Sequence, residues 1–231
     1  MKKNLLFRVA FAALIALSAI SCQKQENNTP EPKASGYYVL NNGSFKMNNS
    51  SVTMYDSESK VSTANAFSST NGKNLGDTAQ DILISGDDIF IAVNVSKLIF
   101  VTDKDLNIKH EITATLEDGT TLSPRYLAQG PEGTVYVTYY EGYVGKISTS
   151  DYTVSTIPVG PSPEGCAYAG GKVFTSNSGG ANYPAYDKTI SVVNASSFKE
   201  EKRIEVNINP ATMATFGDKV YLFSIGDYGA T

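Results

Sequence analysis

Along most of the chain, short runs in which apolar and β-branched residues recur at every second position alternate with clusters of Gly, Asn, Asp, Ser and Pro. That is the pattern of strands separated by tight turns. Four runs are led by a Gly turn and resemble one another: Gly86-Asp87-Asp88-Ile89-Phe90-Ile91-Ala92-Val93, Glu132-Gly133-Thr134-Val135-Tyr136-Val137, Gly170-Gly171-Lys172-Val173-Phe174-Thr175 and Gly217-Asp218-Lys219-Val220-Tyr221-Leu222-Phe223. Taking Ile89, Val135, Val173 and Val220 as equivalent, the steps are 46, 38 and 47 residues. A four-stranded propeller blade repeats at about 40 to 50 residues. The expected fold is therefore all-β, a β-propeller of four-stranded blades.

The clearest unit reads as strands over Ala79 to Ser85, Ile89 to Asn94, Lys97 to Thr102 and Leu106 to Ile112. The next comprises Arg125 to Gln129, Thr134 to Tyr140, Tyr143 to Ser148 and Tyr152 to Pro158. A third comprises Glu164 to Ala169, Lys172 to Ser176, Thr189 to Asn194 and Phe198 to Val206, with a long insertion from Asn177 to Lys188. Before them, Tyr37 to Leu40, Ser51 to Asp56 and Val61 to Phe67 match only strands two to four of a unit, and Ala211 to Phe216 with Val220 to Ser224 match strands one and two. About four and a half blades are therefore expected in residues 36–231. Propeller rings are closed without free edges. The expectation is a truncated piece of a seven-bladed ring, which at this period needs about 300 to 350 residues; a small ring closed by Ala211 to Phe216 is the alternative.

The N-terminal segment departs from this pattern. Lys2, Lys3 and Arg8 flank the start of an apolar stretch from Val9 to Ile20 that is too short to span a membrane. It ends in Leu17-Ser18-Ala19-Ile20-Ser21-Cys22, which resembles a bacterial lipobox although Ala19 stands where Leu is commoner. Residues 1–21 are expected to be a lipoprotein signal peptide, Cys22 the lipidated residue and residues 22–35 a polar, Pro-containing tether. With Cys22 acylated, Cys166 has no intrachain partner and reads as a small buried hydrophobe. The formal charge of -4 with 18% charged side chains argues against a nucleic-acid partner.

The segments Tyr38-Val39-Leu40-Asn41-Asn42-Gly43-Ser44-Phe45, Ser51-Val52-Thr53-Met54-Tyr55-Asp56, Leu75-Gly76-Asp77-Thr78-Ala79-Gln80-Asp81, Ser123-Pro124-Arg125-Tyr126-Leu127-Ala128 and Gly160-Pro161-Ser162-Pro163-Glu164-Gly165 resemble the seven-bladed YVTN-type propeller lipoproteins of Bacteroidota. The likeness runs from Tyr37 to the end. That family includes surface lipoproteins that capture cobalamin and hand it to a TonB-dependent outer-membrane transporter. The resemblance implies a lipid-anchored, non-enzymatic protein on the outer membrane, facing out of the cell, with a corrinoid ligand and a TonB-dependent transporter as partners.

In a propeller, the loops joining strand four to the next strand one, and strand two to strand three, gather on one face around the axis. Here they carry Asn41, Asn42, Gln80, Asp81, Asn94, Arg125, Tyr126, Tyr139, Tyr140, Glu164, Asn177 and Tyr183 as candidate ligand contacts, with Asp77, Glu141, Asn182 and Tyr186 beside them. Amides, phenols and one Arg suit a large hydrogen-bond-rich ligand, a corrinoid or a glycan. Asp81, Arg125 and Glu164 stand at similar places in three first strands, and charges there either pair with one another or meet a ligand. His110 is the only His, which leaves too few parts for a His-based metal site or a Ser-His-Asp triad. Asp87-Asp88 and Asp103-Lys104-Asp105 read as turns rather than calcium loops. Blades without Trp do not match quinone-dependent redox propellers, and no cofactor is expected. A protein- or glycan-binding scaffold is the alternative function, with lactonase-like hydrolysis through central carboxylates behind it.

Overall fold

A computed structural model of the chain describes residues 35–229. The apolar leader, Cys22 and the tether up to residue 34 lie outside the described residues. From Gly36 onward the chain folds as a row of antiparallel meanders. β1 (Gly36–Asn41), β2 (Ser51–Asp56) and β3 (Ser62–Thr63) form a three-stranded sheet, followed by α1 (Ala66–Asn71). Three four-stranded sheets come next: β4 (Ala79–Ser85), β5 (Asp88–Val93), β6 (Leu98–Thr102) and β7 (Ile108–Ile112); then β8 (Pro124–Gln129), β9 (Thr134–Tyr139), β10 (Tyr143–Ser148) and β11 (Val154–Pro158); then β12 (Pro163–Ala169), β13 (Lys172–Asn177), β14 (Thr189–Asn194) and β15 (Lys199–Glu205). A two-stranded sheet of β16 (Pro210–Phe216) and β17 (Lys219–Ser224) completes the row. The sheets are blades of a β-propeller, with first strands β4, β8, β12 and β16 packed against one another along the inner side.

One expected strand is a helix instead. From Val61 to Phe67 the chain makes only the two-residue β3 and then turns into α1. In a strand, Ala66 and Phe67 would point to opposite faces; on one helical turn both are buried, and Phe67 tilts against Phe100 of the next blade with ring centroids 4.8 Å apart. Asn71 fastens the turn by donating to the Leu106 carbonyl at 2.8 Å.

Each pair of neighbouring blades from β1 to β15 shares a core, and the second strands β5 and β9 each contribute to two of them. In β5, Ile89, Ile91 and Val93 pack with Tyr38, Leu40 and Val52 of the preceding blade, while Phe90 and Ala92 pack with Val135, Val137 and Tyr139 of the following one. Side chains alternate across a strand, so a strand between two cores must be apolar on both faces. β5 and β9 are accordingly buried at all six positions. A third core joins Tyr136 and Val144 to Cys166, Val173 and Val193. Cys166 is buried there as a free thiol, which that burial pushes well above the ordinary cysteine range.

The same positions are open at the two ends of the row. β1 holds the place of a second strand: it packs on β4 as β5 packs on β8. Val39 is then the equivalent of Ile91 and Val137, yet it is 51% exposed where they are fully buried. Phe223 of β17 corresponds to Ala92, Thr138 and Ser176, all fully buried, and is 64% exposed. Tyr37 and Tyr221 repeat the contrast on the same two faces.

This equivalence gives a stability prediction. Ile91→Ala leaves a cavity between two blades and should cost about 2–5 kcal/mol in denaturant unfolding. Val39→Ala, at the matching place in the open sheet, should cost less than about 1 kcal/mol. Equal losses would contradict the assignment of β1 as a second strand with one open face.

Candidate functional site

The inner strands of the four blades share one irregularity. Their pairing with the second strand slips between Ala79 and Asp81 in β4, Pro124 and Leu127 in β8, Pro163 and Cys166 in β12, and Pro210 and Met213 in β16. Three of these strands open on Pro, which donates no hydrogen bond and is tolerated at a first strand position. A bulge leaves backbone groups without ladder partners and re-aims side chains. Here the orphaned groups are satisfied by hydroxyls from the second strand. Thr138 Oγ1 accepts from Tyr126 N at 3.1 Å and donates to the Glu164 carbonyl of the next blade at 2.6 Å. Ser176 Oγ accepts from Gly165 N at 2.7 Å and donates to the Ala211 carbonyl at 2.5 Å. The backbones come so close at this junction that a Cβ on Gly165 would sit 2.4 Å from the Ala211 oxygen. Ala92 occupies the hydroxyl position in the preceding blade, and there Asp81 bridges instead: its Oδ2 accepts from Leu127 N at 2.8 Å and its Oδ1 from Ile82 N at 2.9 Å.

The bulge also decides which side chains line up across blades. Counted from the register pairs, Arg125 and Glu164 are matched by Gln80, while Asp81 sits one residue later. This corrects the sequence alignment of the three charges. The result is a row across three adjacent blades. Arg125 Nη1 donates to Gln80 Oε1 at 3.0 Å, Nε donates to Glu164 Oε2 at 2.9 Å, and Nη2 pairs with the same Glu164 oxygen. Gln80 Nε2 donates to the Tyr126 phenol at 3.0 Å, and the Arg125 guanidinium lies 5.4 Å from the centre of the Tyr140 ring. The side chains of Arg125 and Glu164 are 18% and 15% exposed, so the pair is largely removed from water. Burial raises the Glu164 carboxyl above the ordinary carboxylate range even with the guanidinium beside it.

Three of these residues, Arg125, Tyr126 and Glu164, line a cleft of about 290 Å³ together with Tyr186 from the β13–β14 insertion and Tyr228 beyond β17. Tyr186 lies 6.3 Å from Tyr228 and edge-on to the exposed Tyr183 at 5.7 Å, centroid to centroid. Of the twelve candidate residues, Arg125, Tyr126 and Glu164 thus line the cleft, and Gln80 and Tyr140 contact Arg125 beside it.

The other seven are tied elsewhere. Asn42 donates to the Ala79 carbonyl at 2.9 Å and Asn94 to the Pro124 carbonyl at 3.1 Å, each latching the end of a second strand to the next blade. Asn41 bonds Ser51 and Thr53 across its own sheet. Asn177 is buried against Gly160 and donates to Thr189 and Ser191. Tyr139 is buried in a shared core with its hydroxyl unpartnered, and Asp81 is held by two backbone N–H groups. Tyr183 stands one ring away from the cleft. Tyr228, Thr138 and Ser176 were not singled out from the sequence. Period-two alternation could have placed the last two in a buried strand, and a hydroxyl in that setting requires a partner.

His110 lies on the outer strand β7, stacked on Tyr152 at 5.2 Å. Among the described residues no three of His, Cys, Asp and Glu gather closely enough to hold a metal ion, and no helix is long and apolar enough to cross a membrane.

No known family and no curated protein matches the chain. Solved structures do. The WD40 β-propeller domain of Doa1 is 11% identical with a TM-score of 0.59, over 83% of this chain and 58% of that one. The computationally designed Ika8 protein is 11% identical with a TM-score of 0.58, over 84% and 56%. Hydrazine synthase of Kuenenia stuttgartiensis is 18% identical with a TM-score of 0.51, over 58% and 38%. The chain spans little more than half of the length of the first two and less than half of the third. At these identities the likeness concerns the fold, and the fold is a propeller.

Two measurements probe the axial bulges. Thr138→Val keeps the side-chain shape but orphans Tyr126 N–H and the Glu164 carbonyl; urea unfolding should show a loss of about 1–3 kcal/mol. Burial also raises the Asp81 carboxyl above its ordinary value, outweighing its two N–H donors. A carboxyl raised on folding contributes stability that is full below the unfolded value of about 4 and is lost as pH rises through the native value. Asp81→Asn removes that dependence, so its deficit against wild type should be larger at about pH 4 than at about pH 7. A deficit that grows with pH would refute the direction.

Proposed function

We propose that the chain is the binding part of a cell-surface lipoprotein, anchored to the outer membrane through Cys22, which captures a nutrient without chemically altering it and passes it to a TonB-dependent transporter. A corrinoid, cobalamin first, is the ligand this reading favours, on the strength of the blade motifs that resemble corrinoid-capturing lipoproteins. The observation that carries a binding role is the axial cleft: Gln80, Arg125 and Glu164 held in one hydrogen-bonded row, with Tyr126, Tyr140, Tyr186 and Tyr228 around it. Groups fixed by neighbours on rigid strands recognise a ligand without losing much side-chain entropy. Neither the cleft carboxylate Glu164 nor Asp81 on the inner strand β4 is arranged as a nucleophile. Glu164 is paired with Arg125, and Asp81 accepts backbone N–H groups at both oxygens.

Small-molecule sites usually enclose about 300–1,000 Å³, and this cleft lies at the lower limit. A macrocycle would lie across the face, with one substituent entering the cleft.

Calorimetric titration with cyanocobalamin tests the reading. Saturable heat at micromolar ligand, lost in Arg125→Ala, is the expected result. No heat at that concentration would remove the corrinoid from consideration.

A further inference from the structure

We infer that the axial cleft is a site for a neutral sugar ring, gripped through two adjacent hydroxyls by Glu164 and Arg125. This rests on the binding role proposed above and goes further, to the chemistry of the group that enters the cleft.

Arg125 directs Nε and Nη2 to a single carboxylate oxygen, Oε2 of Glu164, and Nη1 to Gln80. A guanidinium carries five N–H donors, so two remain. Glu164 Oε1 accepts no hydrogen bond among the described residues, although it belongs to a largely buried carboxylate lining the cleft. A free acceptor and free donors therefore belong to two paired residues that both line the cleft. A hydroxyl both donates and accepts, and a vicinal pair of hydroxyls matches neighbouring donor and acceptor sites simultaneously.

Charge narrows the class. Arg125 and Glu164 neutralise each other, so the pair presents polarity without net charge. A carboxylate or phosphate would have to compete with Glu164 for the guanidinium while facing the Glu164 charge, and an ammonium group would meet the reverse conflict with Arg125. A neutral group meets neither.

Size and shape complete the case. About 290 Å³ accommodates a single ring with its substituents. Tyr186 and Tyr228 supply aromatic surface in the cleft lining, suited to the C–H face of a pyranose, and each carries a phenol that can bond a hydroxyl.

The test uses neutral methyl glycosides, methyl α-mannoside and methyl β-galactoside, with binding read by saturation-transfer NMR and calorimetry on the full chain. At least one should bind saturably at millimolar concentration. Its deoxy analogue, lacking one hydroxyl of the vicinal pair, should bind at least tenfold more weakly because polar groups of the site are left unpaired. Glu164→Gln and Tyr186→Ala should each weaken the sugar by about tenfold. Tyr186→Ala leaves the ion pair untouched and guards against a folding defect in the first variant. The inference fails if neither glycoside binds, or if both variants bind sugar as wild type does. Cyanocobalamin separates this outcome from the wider reading. If the vitamin binds and excess glycoside does not displace it, the sugar site falls while the binding function stands. If a glycoside binds and the vitamin does not, the sugar site stands and the corrinoid falls.

Discussion

The arrangement depends on one constraint: a second strand that lies between two blades, as β5 and β9 do, is buried on both faces, each face serving a different core. Ile91 and Phe90 are adjacent in sequence, yet one packs backward with Tyr38 and Leu40 and the other forward with Val135 and Val137. Blades joined this way are not independent sheets. Each supplies half of its neighbour's core, so removing volume at one of these positions weakens two blades at once. The same constraint makes the open faces at β1 and β17 informative, since Val39 and Phe223 are the residues that a neighbouring blade would cover.

Close packing of inner strands near the axis leaves little room for a regular ladder. The repeated bulges relieve it at the cost of unpaired backbone groups, which must be satisfied because buried polar groups without partners are expensive. Thr138 and Ser176 do so with one hydroxyl each, accepting within a blade and donating to the next. Asp81 meets the same need where Ala92 provides no hydroxyl. The side chains displaced by the bulges are Gln80, Arg125 and Glu164, so the feature that eases packing also delivers the polar row of the cleft. Blade packing and the proposed recognition role thus rest on one backbone irregularity.

A charged pair this far from water persists only when its partners are well placed. Arg125 is fixed from three sides, by Gln80, Glu164 and the Tyr140 ring. In the proposed binding role, such fixation limits rearrangement, and recognition would fall to the hydrogen-bonding positions still open on Glu164 and Arg125 and to Tyr186 and Tyr228 in the same cleft.

The sequence by itself determined the strand repeat, most strand boundaries in the three complete blades, and the burial of Cys166, because period-two alternation and Gly-led turns are local properties of the chain. It misread Val61 to Phe67, where the need to bury Ala66 and Phe67 together overrode strand propensity. It placed Asp81 beside Arg125 and Glu164, where the register of the three inner strands puts Gln80 instead. Nor did it separate Asn42 and Asn94, which latch neighbouring blades, from Arg125 and Glu164, which line a cleft: all are polar residues at strand ends. Only the tertiary structure decided that, since the partner of each lies roughly 30 to 45 residues away on another blade, and contacts at such distances are set by how sheets pack rather than by local pattern.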